Sequence, residues 1–162
     1  VMVDSISHNQ ECCMKDKSTA KDAIHEVFLA MDMMQEMFQN MNPSILFELE
    51  KYYPKSFEKF KQHKYSFLYK VLQENFERGI AEELYRTDMD RDILIKLRLE
   101  SMMLPFNQGL FPKTKYSLIK VEVEFTTHFI FGLATIKGHK LITKYQQDRT
   151  TKKTNTNEKN LA

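Results

Sequence analysis

Two pairs, Asp22-x-x-His25 and Glu124-x-x-x-His128, set a carboxylate and an imidazole on one helical face each, the minimum from which a metal site is assembled. A carboxylate-bridged di-metal bundle needs paired Glu-x-x-His segments and additional glutamates, and the chain lacks them. Nucleophilic and nucleotide chemistry fare no better: there is no G-x-S-x-G elbow, no P-loop and no dinucleotide fingerprint. The sequence therefore predicts no enzyme, no catalytic residue, no metal and no cofactor. Cys12 and Cys13 are adjacent, a spacing at which a mutual disulfide is strained. They read as inert reduced thiols, with a thiol-reactive sensor as the alternative.

Binding chemistry is better represented. The chain has 10 Met, 12 Phe and 7 Tyr, and methionine's flexible thioether suits sites that accept several shapes. Phe28, Met31, Met34, Phe38, Phe67, Val71, Met102 and Met103 are the candidate lining of an apolar ligand pocket, with His25 and His128 as polar anchors. The same residues also serve as ordinary core, and the pattern alone leaves both roles open.

The elements that would position them are helical. Ile24, Val27, Phe28, Met31, Met34 and Phe38 recur at helical spacing, predicting a helix over 17–39 capped by Ser18 or Thr19, with Asp22 in its first turn. Asn42-Pro43 starts a short helix to Tyr52, and Tyr53-Pro54 breaks it, since the residue before proline disfavours the helical region. One long helix is expected from Pro54 to about Arg86, containing Gly79, which close approach of another helix would explain. Thr87 or Asp88 would cap a central helix over 88–106, and a last helix is expected from about Thr114 to Gln147. Val121 to Phe125 alternates like a strand, but Leu118, Val121, Phe125, Phe129, Gly132 and Ile136 keep helical spacing, so helix is preferred.

Composition agrees. With 162 residues, 42% hydrophobic and only 4 Gly and 4 Pro, the chain suits one all-α domain. No apolar run reaches the roughly 18 residues that span a bilayer, and Val1-Met2-Val3-Asp4 does not resemble a signal peptide, so a cytoplasmic protein without membrane contact is expected. Residues 140–162 hold six of the 24 basic and two of the 22 acidic residues, making that segment +4 and the remainder −2. Such a body does not advertise a nucleic-acid-binding face. The organisation expected is a flexible lead or remnant of a preceding element over 1–15, a helical domain over 16–147, and a disordered polar tail over 148–162.

Several segments carry a family resemblance. Asn42-Pro43-Ser44-Ile45-Leu46-Phe47 leading to Tyr52-Tyr53-Pro54, Asn75 through Arg78-Gly79-Ile80, Glu83-Leu84-Tyr85-Arg86 with Asp88, Leu97-Arg98-Leu99-Glu100, and Phe131-Gly132-Leu133-Ala134-Thr135-Ile136-Lys137-Gly138-His139-Lys140 follow one another along the chain. Together they resemble the C-terminal domain of TetR/AcrR-type bacterial transcription regulators, in a Bacteroidetes branch, over about residues 16–147. The resemblance implies an antiparallel bundle of about five helices that binds a small, mainly apolar effector and forms a homodimer through its last two helices. It also implies operator DNA as a partner only through an N-terminal helix-turn-helix head, which these residues lack, and a helix over 17–39 that links head to body.

The dimer expectation has a sequence argument of its own. The last two helices carry more apolar surface than one inner face requires, so Leu118, Ile119, Glu122, Thr126, Ile130, Gly132, Thr135 and Gly138 are the candidate interface. The alternative reading is a helical structural or interaction module with no ligand.

Overall fold

The computed structural model describes residues 18–39 and 41–159, with side chains through Thr150. Cys12, Cys13 and the expected 1–15 lead lie outside the described residues. Among those described, the chain is all-α: α1 (Ala23–Phe38), α2 (Ile45–Tyr52), α3 (Pro54–His63), a π-helical turn (Lys64–Leu68), α4 (Tyr69–Ala81), α5 (Arg91–Ser101), a 3₁₀ turn (Leu104–Phe106), α6 (Leu118–Leu133) and α7 (Ile136–Lys159). The strand-like alternation at 121–125 is helical, inside α6.

Each start has a local cause. Asp22 is extended and its carboxylate accepts from the His25 amide at 2.8 Å, so it caps α1. Ser18 and Thr19, the expected caps, instead have helical backbone ahead of a bend at residues 21–22. Asp90, two residues past the expected Asp88, caps α5 by accepting from Ile93 N at 3.1 Å. Ser117 caps α6, three residues past the expected start at Thr114. Pro54 occupies the first turn of α3, where its missing N–H costs nothing.

The stretch from 54 is helical only to Ala81, with the π turn inside it. It ends because Leu84 N and Tyr85 N both return to Gly79 O, at 2.8 and 3.0 Å, with Glu83 in the left-handed region at φ 59°. Leu84 and Tyr85 then turn back into the core.

The expected single helix over 114–147 is two helices. Ala134 is extended at ψ 142° and forms an isolated antiparallel bridge with Tyr85. Arg86 N donates to Leu133 O at 2.8 Å and Thr135 N to Leu84 O at 2.9 Å. This long-range pairing satisfies the backbone groups freed by the break. Thr135 Oγ1 then accepts from Gly138 N at 3.1 Å and restarts the helix as α7. Helical backbone continues through Lys159, past the expected boundary at 147. One cause is visible at Arg149, which donates to Phe28 O at 3.0 Å and pairs with Asp32, fastening that turn of α7 to α1.

The core gathers around α1, which packs against α4, α6 and α7. Ile24, Phe28 and Met31 meet Phe76 of α4, Ile130 and Leu133 of α6, and Ile142 of α7. Helix α5 buries only one face, through Ile95, Arg98 and Leu99. It is not the central helix expected from its composition, because Ile93 and Leu97 remain 62% and 55% exposed. Helices α2 and α3 pack on one another and contain no fully buried residue.

Candidate functional site

Polar side chains converge on the first turn of α1. Asn75 Nδ2 donates to Ala23 O at 3.0 Å, and Ala23 N donates to Glu82 Oε2 at 2.7 Å. Arg78 spans three partners: Glu82 at 2.8 Å, Glu26 at 3.2 Å and Ala20 O at 3.0 Å. From the other side Tyr145 donates to Asp22 Oδ2 at 2.5 Å and stacks on His25. Burial, then the bond to Asp22, raises the Tyr145 phenol above its ordinary range. Beneath this latch Tyr85 donates to Asn75 Oδ1 at 3.0 Å, its own phenol pushed up by complete burial.

The other end of α1 is apolar. Met33, Met34, Met37 and Phe38 are all half-buried, and Phe38 meets Phe106 of the 3₁₀ turn edge-on, centroids 5.3 Å apart. Met102 and Met103, directly before that turn, are half-buried as well. Phe67 of the π turn stacks on His63, the last residue of α3, with centroids 5.2 Å apart, and Val71 is half-buried on α4.

The ten residues expected to bind a ligand therefore separate. Phe28 and Met31, each 4% exposed, belong to the closed core, because α1 is surrounded there by three helices. Met34, which packs against the closed core, and Phe38, Met102 and Met103 are each half-buried. His25 is a structural group: its Nδ1 accepts from Lys21 N at 3.1 Å. His128 is exposed on α6. Two surface clefts, one between α4 and α5 and one at the start of α7, include none of the ten.

The expected dimer face needs the larger correction. Leu118, Glu122, Thr126 and Ile130 are buried within the single chain, at 8, 3, 2 and 1% exposure. The reason is Arg98, which sequence reasoning missed: its Nη2 donates to Glu122 Oε1 and to Thr126 Oγ1, both at 2.6 Å. Nothing local to 122 or 126 announces a partner 24 and 28 residues earlier. Gly138 is also internal, with Leu84 O where a Cβ would stand. Ile119 and Thr135 are half-buried, and only Gly132 is exposed, with open space around it. Large exposed apolar side chains are absent from α6 and, among described residues, limited to Ile136 on α7. The surplus of apolar surface read from sequence was thus consumed by the chain's own core, and such exposure is concentrated instead at Phe47, Tyr52 and Tyr53 around α2 and at Ile93 and Leu97 on α5.

A second ion pair, its lysine buried and its carboxylate exposed, joins the π turn to α5. Lys64 is 4% exposed and donates to Glu100 at 3.0 Å, and Tyr65 bonds the same carboxylate oxygen. These two donors, Tyr65 first, hold Glu100 below the usual carboxylate range. Among the described residues no group of three or more His, Cys, Asp and Glu is placed to hold a metal. No described helix is long and apolar enough to cross a membrane. No family model, curated protein or solved structure matches this chain.

Proposed function

We propose that the chain is the effector-sensing part of a TetR-type regulator, in which a small apolar ligand at the C-terminal half of α1 alters the position of its N-terminal turn. The observation that supports this is the two-ended character of α1. Its last turns present half-buried Met34, Met37 and Phe38, while its first turn is fixed by directional bonds from Asn75, Arg78, Glu82 and Tyr145. An adaptable apolar end and a polar latch on one rigid rod are the parts a lever requires. A DNA-reading head joined ahead of Ala20 would sense movement of that latch. Control of this kind demands that the ligand bind the two latch states with different affinity.

The test is a thermal-shift screen of the chain with apolar ligands, followed by hydrogen exchange at residues 23–26 and operator binding by the gene's full product. A hit should raise the melting temperature by mass action and change exchange at the α1 start. A broad panel without a hit, or hits that leave both exchange and DNA affinity unchanged, removes the reading. Pairing with a second copy is part of the proposal, through a surface other than Leu118, Glu122, Thr126 and Ile130. Light scattering that reports a monomer at micromolar concentration removes that part.

The second reading, an interaction module without ligand, is favoured by the closed packing of Phe28 and Met31. It predicts that no ligand in the panel binds saturably.

A further inference from the structure

Helix α2 is eight residues long, contains no buried side chain and packs chiefly on α3, which has none either. Helices that short do not persist on propensity alone and draw their stability from packing. Yet Phe47, Tyr52 and Tyr53 turn outward, at 65, 63 and 64% exposure. Lys51 joins them into one patch, its Nζ 5.8 Å from the centre of the Phe47 ring and 5.0 Å from that of Tyr52. An aromatic side chain presents roughly 200 Å², so the three leave about 400 Å² open, a size at which apolar patches mark interaction sites.

The charges select the occupant. Glu48 and Glu50 against Lys51 leave α2 at net −1, which disfavours an anionic lipid or nucleic-acid surface. The order of its side chains, by contrast, is self-complementary. Residues 47–52 run aromatic, acid, two intervening residues, base, aromatic. A second α2 laid antiparallel about a twofold axis sets Phe47 level with the partner's Tyr52 and Glu48 level with the partner's Lys51, and the symmetry repeats each pairing. About 800 Å² of aromatic surface is then covered. With the stems of Glu48 and Lys51 added, the total approaches the roughly 1,200 Å² at which stable specific interfaces begin. That is the size of a reversible dimer.

We propose that α2 pairs with α2 of a second copy, antiparallel, through Phe47, Glu48, Lys51, Tyr52 and Tyr53. This names a surface for the pairing put forward above and rests on that part of the reading, while it needs no ligand.

Sedimentation equilibrium of the full chain over about 1–100 μM tests it, with circular dichroism to show that each variant keeps its helices. The parent should dimerise reversibly. Glu48→Lys and Lys51→Glu should each weaken pairing about tenfold, because the twofold makes every substitution act twice. An equimolar mixture of these two variants should regain the parent's affinity, one α2 then being basic at both positions and the other acidic. Phe47→Ala should weaken pairing by about tenfold or more. A parent that stays monomeric removes the pairing and this surface together. A parent dimer indifferent to all three substitutions, or variants that mixing does not rescue, leaves the pairing standing and overturns α2 as its seat. Loss of the dimer in Leu97→Glu alone would overturn it too, moving the contact to the exposed face of α5.

Discussion

The ring of Tyr85 lies against the Cα of Gly79, so that a methyl group added at Gly79 would overlap the ring carbons Cγ, Cδ2 and Cε2. The ring cannot swing aside, being 1% exposed and bonded through its hydroxyl to Asn75. Gly79→Ala gains about 1 kcal/mol in helix propensity but overpacks a closed core, which costs about 1–3 kcal/mol. The variant should be less stable by up to about 2 kcal/mol, read as a lower urea midpoint. A midpoint equal to or above that of the parent would contradict the packing described.

Arg98 and Glu122 form a pair with both side chains about 95% buried, at 2.6 Å. Glu122 Oε2 has no hydrogen-bond partner. Removing one member of such a pair strands the other charge, at a cost of about 3–5 kcal/mol, whereas replacing both by apolar groups of similar volume is often neutral. Arg98→Met alone should therefore be more damaging than Arg98→Met combined with Glu122→Leu. Urea denaturation of the full double-mutant cycle decides this, and strictly additive losses would mean the two groups are not coupled.

Asn75 serves two clients, donating to Ala23 O and accepting from Tyr85. Asn75→Ala leaves the buried Tyr85 hydroxyl without a partner, while Ala23 O keeps only its helical bond from Val27 N, a loss of about 1–3 kcal/mol. Hydrogen exchange should accelerate first at Ala23 to Glu26, the turn the latch holds. Uniform acceleration across all helices would show that Asn75 supports the whole fold and not the latch.

Burial beside the Phe67 ring holds His63 below its ordinary value of 6.5. A depressed value in the folded state means the unfolded chain binds the proton more readily. The contribution of this group is complete above 6.5 and is lost as pH falls through the folded-state value. Imidazole NMR should therefore place the His63 titration below 6.5, and His63→Gln should flatten the acid limb of the stability curve. A titration at or above 6.5 defeats the prediction.

Much of this was legible in the chain. The apolar period of α1 and the Tyr53-Pro54 break have local causes and fall where expected. Asn42-Pro43 does not itself open the helix: Asn42 Oδ1 accepts from Ser44 N at 3.1 Å in a turn, and α2 begins at Ile45 with Ser44 in the cap position. The break at Ala134 was not legible, because no proline marks it and Leu133, Ala134 and Gly138 keep a helix-like pattern across it. Its cause is the pairing with Leu84, Tyr85 and Arg86, some fifty residues away in sequence. The π turn is hidden for a similar reason, since the residues on either side remain helical. Glu122 and Thr126 looked like surface because a buried carboxylate makes sense only once Arg98 is placed beside it. Gly79 was rightly read as a point of close approach, but the visitor is the Tyr85 ring rather than another helix.

Arg149 reaches across from α7 to the backbone of Phe28 and lies with its guanidinium 5.1 Å from that ring's centre. A fragment trimmed where the hydrophobic pattern fades, at about Gln147, would lose this clasp while keeping every residue of the oily interior. Such a fragment could melt normally and still have a loosened first helix, so the trimming site chosen for a binding assay would itself help determine the result.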